Sequence, residues 1–418
     1  MEAAAGWDWE PGNKEVRLDV PSIEQLWRGE GPQTSPDGEE IAAVVDLGEG
    51  EYTLWVNGQA WEMTFQRAWF PRFAPDGRLT ALVSQESEWT VAMDGTPWTE
   101  WYNFAWGTMF ARKGSTVAAA VQRDGSYGLS LNGRAWEELY ENANNFALSP
   151  DGSATAAAVQ VESLPAADTA AFQKGVFSLA VNGRAWETRF VNVWTPEFDE
   201  NGLHVAAQVR LNLYDYSIAV DGSVWPKTFA CVWEPRFNPA DGAVVAPVRV
   251  GGAWGMARNG EILWPPVFKQ CWRQRFSADG ARLAAIVAPR FGRFTVALDG
   301  KPWPITFSVV TDLALSPDGQ RAAALGQEKG QWTVVVDGQP WPGRYDRAWG
   351  PVFSPDGGRL AAKVERGGRY TVILDGRAYQ EDFDRLWDPV FSPDGNKILI
   401  RAVKAGAYVR LVAPVSAF

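Results

Sequence analysis

Fifty acidic residues, two cysteines and one histidine are the side chains with which this 418-residue chain could do chemistry. The histidine count rules out multi-histidine metal sites, and the position of His204 speaks against a triad. His204 occupies a place in an internal repeat held elsewhere by Arg78, Arg282, Arg359 and Lys397, a surface slot at the start of a strand. Cys231 and Cys271 stand two residues and one residue before Trp233 and Trp272, so on strands they face opposite ways. That spacing disfavours a disulfide and a shared metal; buried thiols are the expectation. No nucleophile elbow, phosphate loop, H-E-x-x-H or dinucleotide fingerprint occurs. Six aspartates, Asp37, Asp76, Asp151, Asp318, Asp356 and Asp394, sit in Ser-Pro-Asp-Gly turns or near variants, where Asp is turn chemistry.

The repeat that claims these residues has four anchors. The turn glycine recurs ten times from Gly38 to Gly395, at steps of 37 to 40 residues with one step of 50. An aromatic residue follows ten times, from Tyr52 to Tyr408. Five residues after nine of these comes an Asn-Gly or Asp-Gly pair, from Asn57 to Asp375. An aromatic ladder at four-residue steps comes next, as in Trp61, Phe65 and Trp69. Eighteen of the 23 tryptophans occupy repeat positions.

Each unit reads as four short strands. In residues 349–386, Trp349–Phe353, Arg359–Val364 and Tyr370–Leu374 are strands rich in β-branched and aromatic residues. Ser354-Pro355-Asp356-Gly357 is a type I turn and Asp375-Gly376 a tight hairpin into a fourth strand carrying Tyr379 and Phe383. Four antiparallel strands at a period near 40 define a propeller blade. The fold expected is all-β, a single β-propeller of about ten four-stranded blades. Two five-bladed rings are the alternative, but the chain at 229–237 shows no linker. The last repeat lacks its outer strand, and Val16–Trp27 is long enough to supply it and close the ring. The division expected is an acidic arm with the ring-closing strand at 1–26 and the propeller at 27–418. Packing between blades accounts for tryptophan at repeat positions. Trp7, Trp9, Trp27, Trp55 and Trp101, outside the repeat, are candidates for contacts beyond the ring.

Net charge is −11, which argues against nucleic acid. Residues 1–51 hold 13 acids against 3 bases and so carry nearly all of it, as a solvated acidic arm would. The N-terminus lacks a signal-peptide pattern, and no stretch approaches the roughly 20 apolar residues of a membrane helix. A soluble, cytoplasmic protein without direct membrane insertion is expected.

Functional specificity is sought where the repeat breaks. The 50-residue step comes from "VESLPAADTAAFQKG" at 161–175, between the second and third strands of repeat 4. Length varies elsewhere at this same loop, on the face that also carries the links between blades, where propellers commonly bind partners. Leu164, Phe172, Leu213, Tyr214, Arg249, Arg290, Phe291 and Arg293 in the loops of repeats 4 to 7 have the composition of a protein interface. A carboxylate pair across the central channel, hydrolysing glycosides or binding a small ligand, is the competing reading.

The motifs "WGPVFSPDG" and "WDPVFSPDG", each followed by a small apolar strand, resemble the WD40-like repeats of TolB-type propellers. The resemblance spans 27–418 and departs from that family in the added D-G-x-x-W signature and the missing export signal. More narrowly, the overall pattern resembles the tryptophan-rich component of the Tmc transmembrane electron-transfer complexes of sulfate-reducing bacteria. That resemblance implies a cytoplasmic component bound to iron–sulfur and cytochrome partners and holding no cofactor itself. The function expected is a non-catalytic scaffold that docks on other protein subunits.

Overall fold

The structure is a computed structural model and describes residues 2–17, 31–164 and 168–418. Ten antiparallel sheets follow one another along the chain, nine with their strands in sequence order from the channel outward and the tenth completed by an N-terminal strand. Blade 9 shows the rule. Its inner strand is split into Arg347–Ala348 and Val352–Phe353; Leu360–Arg366, Arg369–Leu374 and Arg377–Ala378 complete the sheet. The fourth strand has only two paired residues; beyond it the chain touches the sheet again where Phe383 bridges to Tyr370.

Two sets of turns fix each blade on one face. In blade 9 the Ser354 hydroxyl donates to Asp356 and accepts from the Arg359 N–H at 2.9 Å. That donation, with the Gly358 N–H, holds the Asp356 carboxyl below its usual range. Asp375 and Gly376 both take positive φ, 49° and 83°, as a type I′ hairpin demands. The Asp375 carboxylate then accepts from the Leu360 N–H at 2.9 Å, tying the two turns together. The equivalent bond recurs in every blade from 1 to 9, from Asn57 to Ile41 onward. This is why the repeat needs Asn or Asp before that glycine.

Between blades lie ten apolar clusters, one per seam. Across eight seams the outer-strand tryptophan of one blade stands against the hairpin glycine of the next, from Trp61 on Gly95 to Trp341 on Gly376. Among the described residues, the seam from blade 10 to blade 1 has Ile41 and Tyr408 in its buried cluster, with Val16, Trp55 and Trp387 packed against them. Buried polar groups take over there. Tyr408 donates to the Gly38 carbonyl at 2.8 Å, Arg401 to Ser35 at 3.0 Å and Arg410 to Asp37 at 2.8 Å.

An N-terminal strand closes the ring, pairing antiparallel with Ala407–Pro414 as the outer strand of blade 10. It is Gly12–Arg17, earlier than the Val16–Trp27 expected from length. The arm is not free over its described part either: Lys14 pairs with Asp8 at 2.8 Å and Glu39 at 2.9 Å. Residues 18–30, including Trp27, lie outside the described residues. Trp55 and Trp101, expected to reach outside the ring, instead pack against inter-blade clusters. Trp7 lines a cavity of about 350 Å³ with Pro36, Pro75, Pro317, Pro355 and Pro393, prolines of the inner turns. Among the described residues no helix is long and apolar enough to cross a membrane.

Candidate binding face and channel wall

The two turns of each blade lie on one face, so the loops between second and third strands share the opposite face with the links between blades. On this connection face, in blade 5, Arg210 donates to the carbonyls of Asn212 and Leu213 at 3.0 Å, and the Asn212 side chain accepts from the Tyr214 and Asp215 N–H groups. The loop is thus held rigid while Tyr214 stands 79% exposed beside a partly exposed Leu213. In blade 6 Arg249 and Val250 are exposed at the end of the second strand. In blade 7 Arg290 is exposed and Phe291 reaches 83%, with the Lys269 ammonium 5.9 Å from its ring.

Arg293 does other work. Its guanidinium donates to Thr306 and to Glu328 of blade 8 at 2.8 Å, so it ties two blades together. Leu164 and Phe172 are half-buried, Phe172 on a short helix, Thr169–Lys174, capped by Asp168. The sequence-based set therefore divides. Leu213, Tyr214, Arg249, Arg290 and Phe291 are presented to solvent on adjacent blades, whereas Arg293 is tied into a seam.

Sequence reasoning missed the channel wall. The inner strand carries a motif W-x-P-x-F or a variant, and its first variable position takes positive φ at Phe70, Asn145, Thr195, Arg273 and Asp312. At several of these the pairing register with the next strand shifts, a bulge that re-aims the flanking side chains. The variable positions are charged in blades 5 to 7: Glu197, then Glu234 and Arg236, then Arg273 and Arg275. These five line one cavity of about 510 Å³ with Asn145, Phe146, Thr195 and Trp272. The signal was available, because these are the positions inside a regular motif that do not repeat.

Glu197 pairs with Arg236 across the seam of blades 5 and 6. Burial raises the Glu197 carboxyl and Arg236 opposes the rise. The Glu234 carboxylate accepts from the Arg273 N–H at 3.0 Å, and its backbone carbonyl accepts from Gln274. Burial lowers the Arg275 guanidinium, with Arg236 and Arg273 adding like charge. Next to this cavity, Trp233, Trp254 and Trp272 wall another of about 370 Å³. Trp233 and Trp254 are stacked at 5.4 Å with ring planes 5° apart, and Trp233 remains 41% exposed.

Both cysteines are free and pack on one apolar cluster between blades 6 and 7. Burial raises the Cys271 thiol, which suits an inert buried group rather than a nucleophile. The opposite facing read from their offsets does not separate them. Among the described residues no three His, Cys, Asp or Glu side chains converge as metal ligands would. His204 lies on the surface, as its repeat position implies, 2.6 Å from Asp221.

Ten four-stranded blades around a channel define a β-propeller. No family model and no curated protein sequence matches the chain. Among solved structures it is similar to one described as the crystal structure of the eukaryotic initiation factor. The TM-score is 0.50 at 10% identity, covering 79% of this chain and 90% of that one. At that identity the likeness speaks for the propeller fold alone. TolB from Acinetobacter baumannii aligns at 14% identity over 58% of this chain and 61% of that one, with a TM-score of 0.29, too low to carry an argument.

Proposed function

We propose that this propeller is a non-catalytic binding scaffold that docks a protein partner on the connection face of blades 5 to 8. One observation carries the reading. Of fourteen exposed large apolar side chains among the described residues, Leu213, Tyr214, Trp233, Val250, Phe291 and Val309 stand at that end of these four consecutive blades, against Leu47, Trp69 and Phe104 on blades 1 to 3. Aromatic anchors flanked by Arg249 and Arg290 have the composition of an interface core. The Asn212 turn supports preorganisation, which lowers the cost of binding.

The TolB-type resemblance of the turn-and-strand motif fits a scaffold. The narrower reading, a cytoplasmic component beside iron–sulfur and cytochrome partners, rests on tryptophan-rich composition and overall pattern. Much of that content is accounted for by outer-strand tryptophans seated on the glycines of neighbouring blades. The hydrolytic alternative has weaker support, since Glu197 is held by Arg236 and Glu234 accepts from the Arg273 backbone.

Purification of the tagged chain from its native source, beside a Tyr214→Asp/Phe291→Asp variant, tests the docking. The reading expects one stoichiometric companion that the variant loses while its melting temperature stays unchanged. A companion retained in full by the variant, or a lone monomer in every preparation, overturns it.

A further inference from the structure

We propose that the channel wall of blades 5 to 7 is an oxyanion site, in which the Arg273 and Arg275 guanidinium groups, flanked by Arg236, receive a phosphate or carboxylate group. Three observations meet there. First, the cavity of about 510 Å³ places three arginines against two glutamates, and both glutamates are engaged within the wall. Glu197 pairs with Arg236, and Glu234 accepts from the backbone N–H of Arg273. Second, among the described residues neither the Arg273 nor the Arg275 guanidinium has an ion-pair or hydrogen-bond partner, although the chain supplies one to many of its other arginines. Asp312 of blade 8 favours the Arg275 charge, while Arg236 of blade 6 and Arg273 of the same blade oppose it. Third, Gln274 between them is 1% exposed, and its side-chain oxygen is buried without a partner.

Arg273 and Arg275 are both exposed, and the fork of a guanidinium matches the two oxygens of a carboxylate or phosphate. Arg273, φ 52°, lies in a bulge where the register shifts between Trp272 and Arg275, and both arginines line the one cavity. Trp272 belongs to both this cavity and the tryptophan cavity beside it, so a ring attached to the anion would have a stacking surface. This site stands apart from Tyr214 and Phe291, so it does not depend on the proposed docking.

The test is calorimetric titration of the full chain with inorganic phosphate and, separately, with citrate, in a chloride buffer. The expected result is saturable binding of at least one, weakened about tenfold or more by Arg273→Gln/Arg275→Gln. The arm that binds identifies phosphate or carboxylate as the chemistry. Arg134→Gln, on the outer strand of blade 3, should leave binding unchanged. Without any anion added, the double variant should melt no lower than the parent, because it removes cations that lack partners; a merely structural pair would lower it. Absence of saturable binding in both arms, or binding unaltered in the double variant, overturns the proposal.

Discussion

The Arg410 Nε donates to the Asp37 carbonyl at 2.8 Å, joining the third strand of the last blade to the first blade's inner turn. Arg410 is only 3% exposed, and the Asp8 carbonyl and the Glu39 carboxylate complete its surroundings. Where eight other seams press tryptophan on glycine, the closing seam has, among the described residues, buried polar groups around Ile41 and Tyr408. Such a seam is specific but gains little from apolar burial. The ring should open there first.

Replacing Arg410 by Met leaves the Asp37 and Asp8 carbonyls unpaired and should lower stability by roughly 1–3 kcal/mol in urea unfolding. Hydrogen exchange should show faster opening of Gly12–Arg17 and Ala407–Pro414 than of the corresponding strands of blade 3. Equal protection throughout would contradict the weak-seam account.

Gly133 has φ 84°, and a Cβ there would stand 2.9 Å from the Trp98 Cγ of the preceding blade. Gly77 has a similar φ of 91° with open space around it. Gly77→Ala should therefore cost only the left-handed backbone penalty, about 1–2 kcal/mol. Gly133→Ala should cost about 1–3 kcal/mol more, because it also overpacks a seam. Equal losses in thermal unfolding would show that the indole contact contributes nothing.

The Trp136 indole donates to the Thr155 hydroxyl of the next blade at 2.9 Å, and that hydroxyl donates on to Asn182. Thr155→Val keeps the shape and strands the indole N–H in a buried place. A loss of about 1–3 kcal/mol is expected. Thr155→Ser, which keeps the hydroxyl, should recover most of it.

His204 gives a pH signature that can be read alone, since no other histidine exists. The Asp221 carboxylate, bonded to its ring, raises its pKa above the usual 6.5. The protonated form is therefore favoured by folding. This stabilisation is fully present below pH 6.5 and fades as pH rises through the raised value. The group is mostly exposed, so the gain is small. Nuclear magnetic resonance titration should find the raised pKa, and Asp221→Asn should return it to about 6.5.

Much of the ring was legible because its determinants are local. Ser-Pro-Asp-Gly and Asp-Gly announce turns through φ and hydrogen bonding within a few residues, and the regular tryptophans announce identical seams. The closing strand was misplaced because Gly12–Arg17 is polar and pairs with residues some 400 positions away, which no local pattern encodes. Arg293 looked like an interface residue because composition cannot reveal that Glu328 of the next blade holds it. The wall of Glu197, Arg236, Arg273 and Arg275 was hidden for a different reason. Its residues sit within the most regular motif, and only the adjacency of consecutive blades in the ring gathers them into one cavity.

Photo-crosslinking in the native source tests the scaffold most directly, with a photoreactive side chain placed at Tyr214, at Phe291 or at Leu203 on the turn face. The account predicts one protein joined from positions 214 and 291 and none from 203. Adducts formed at 203 alone, or at no position, would contradict it.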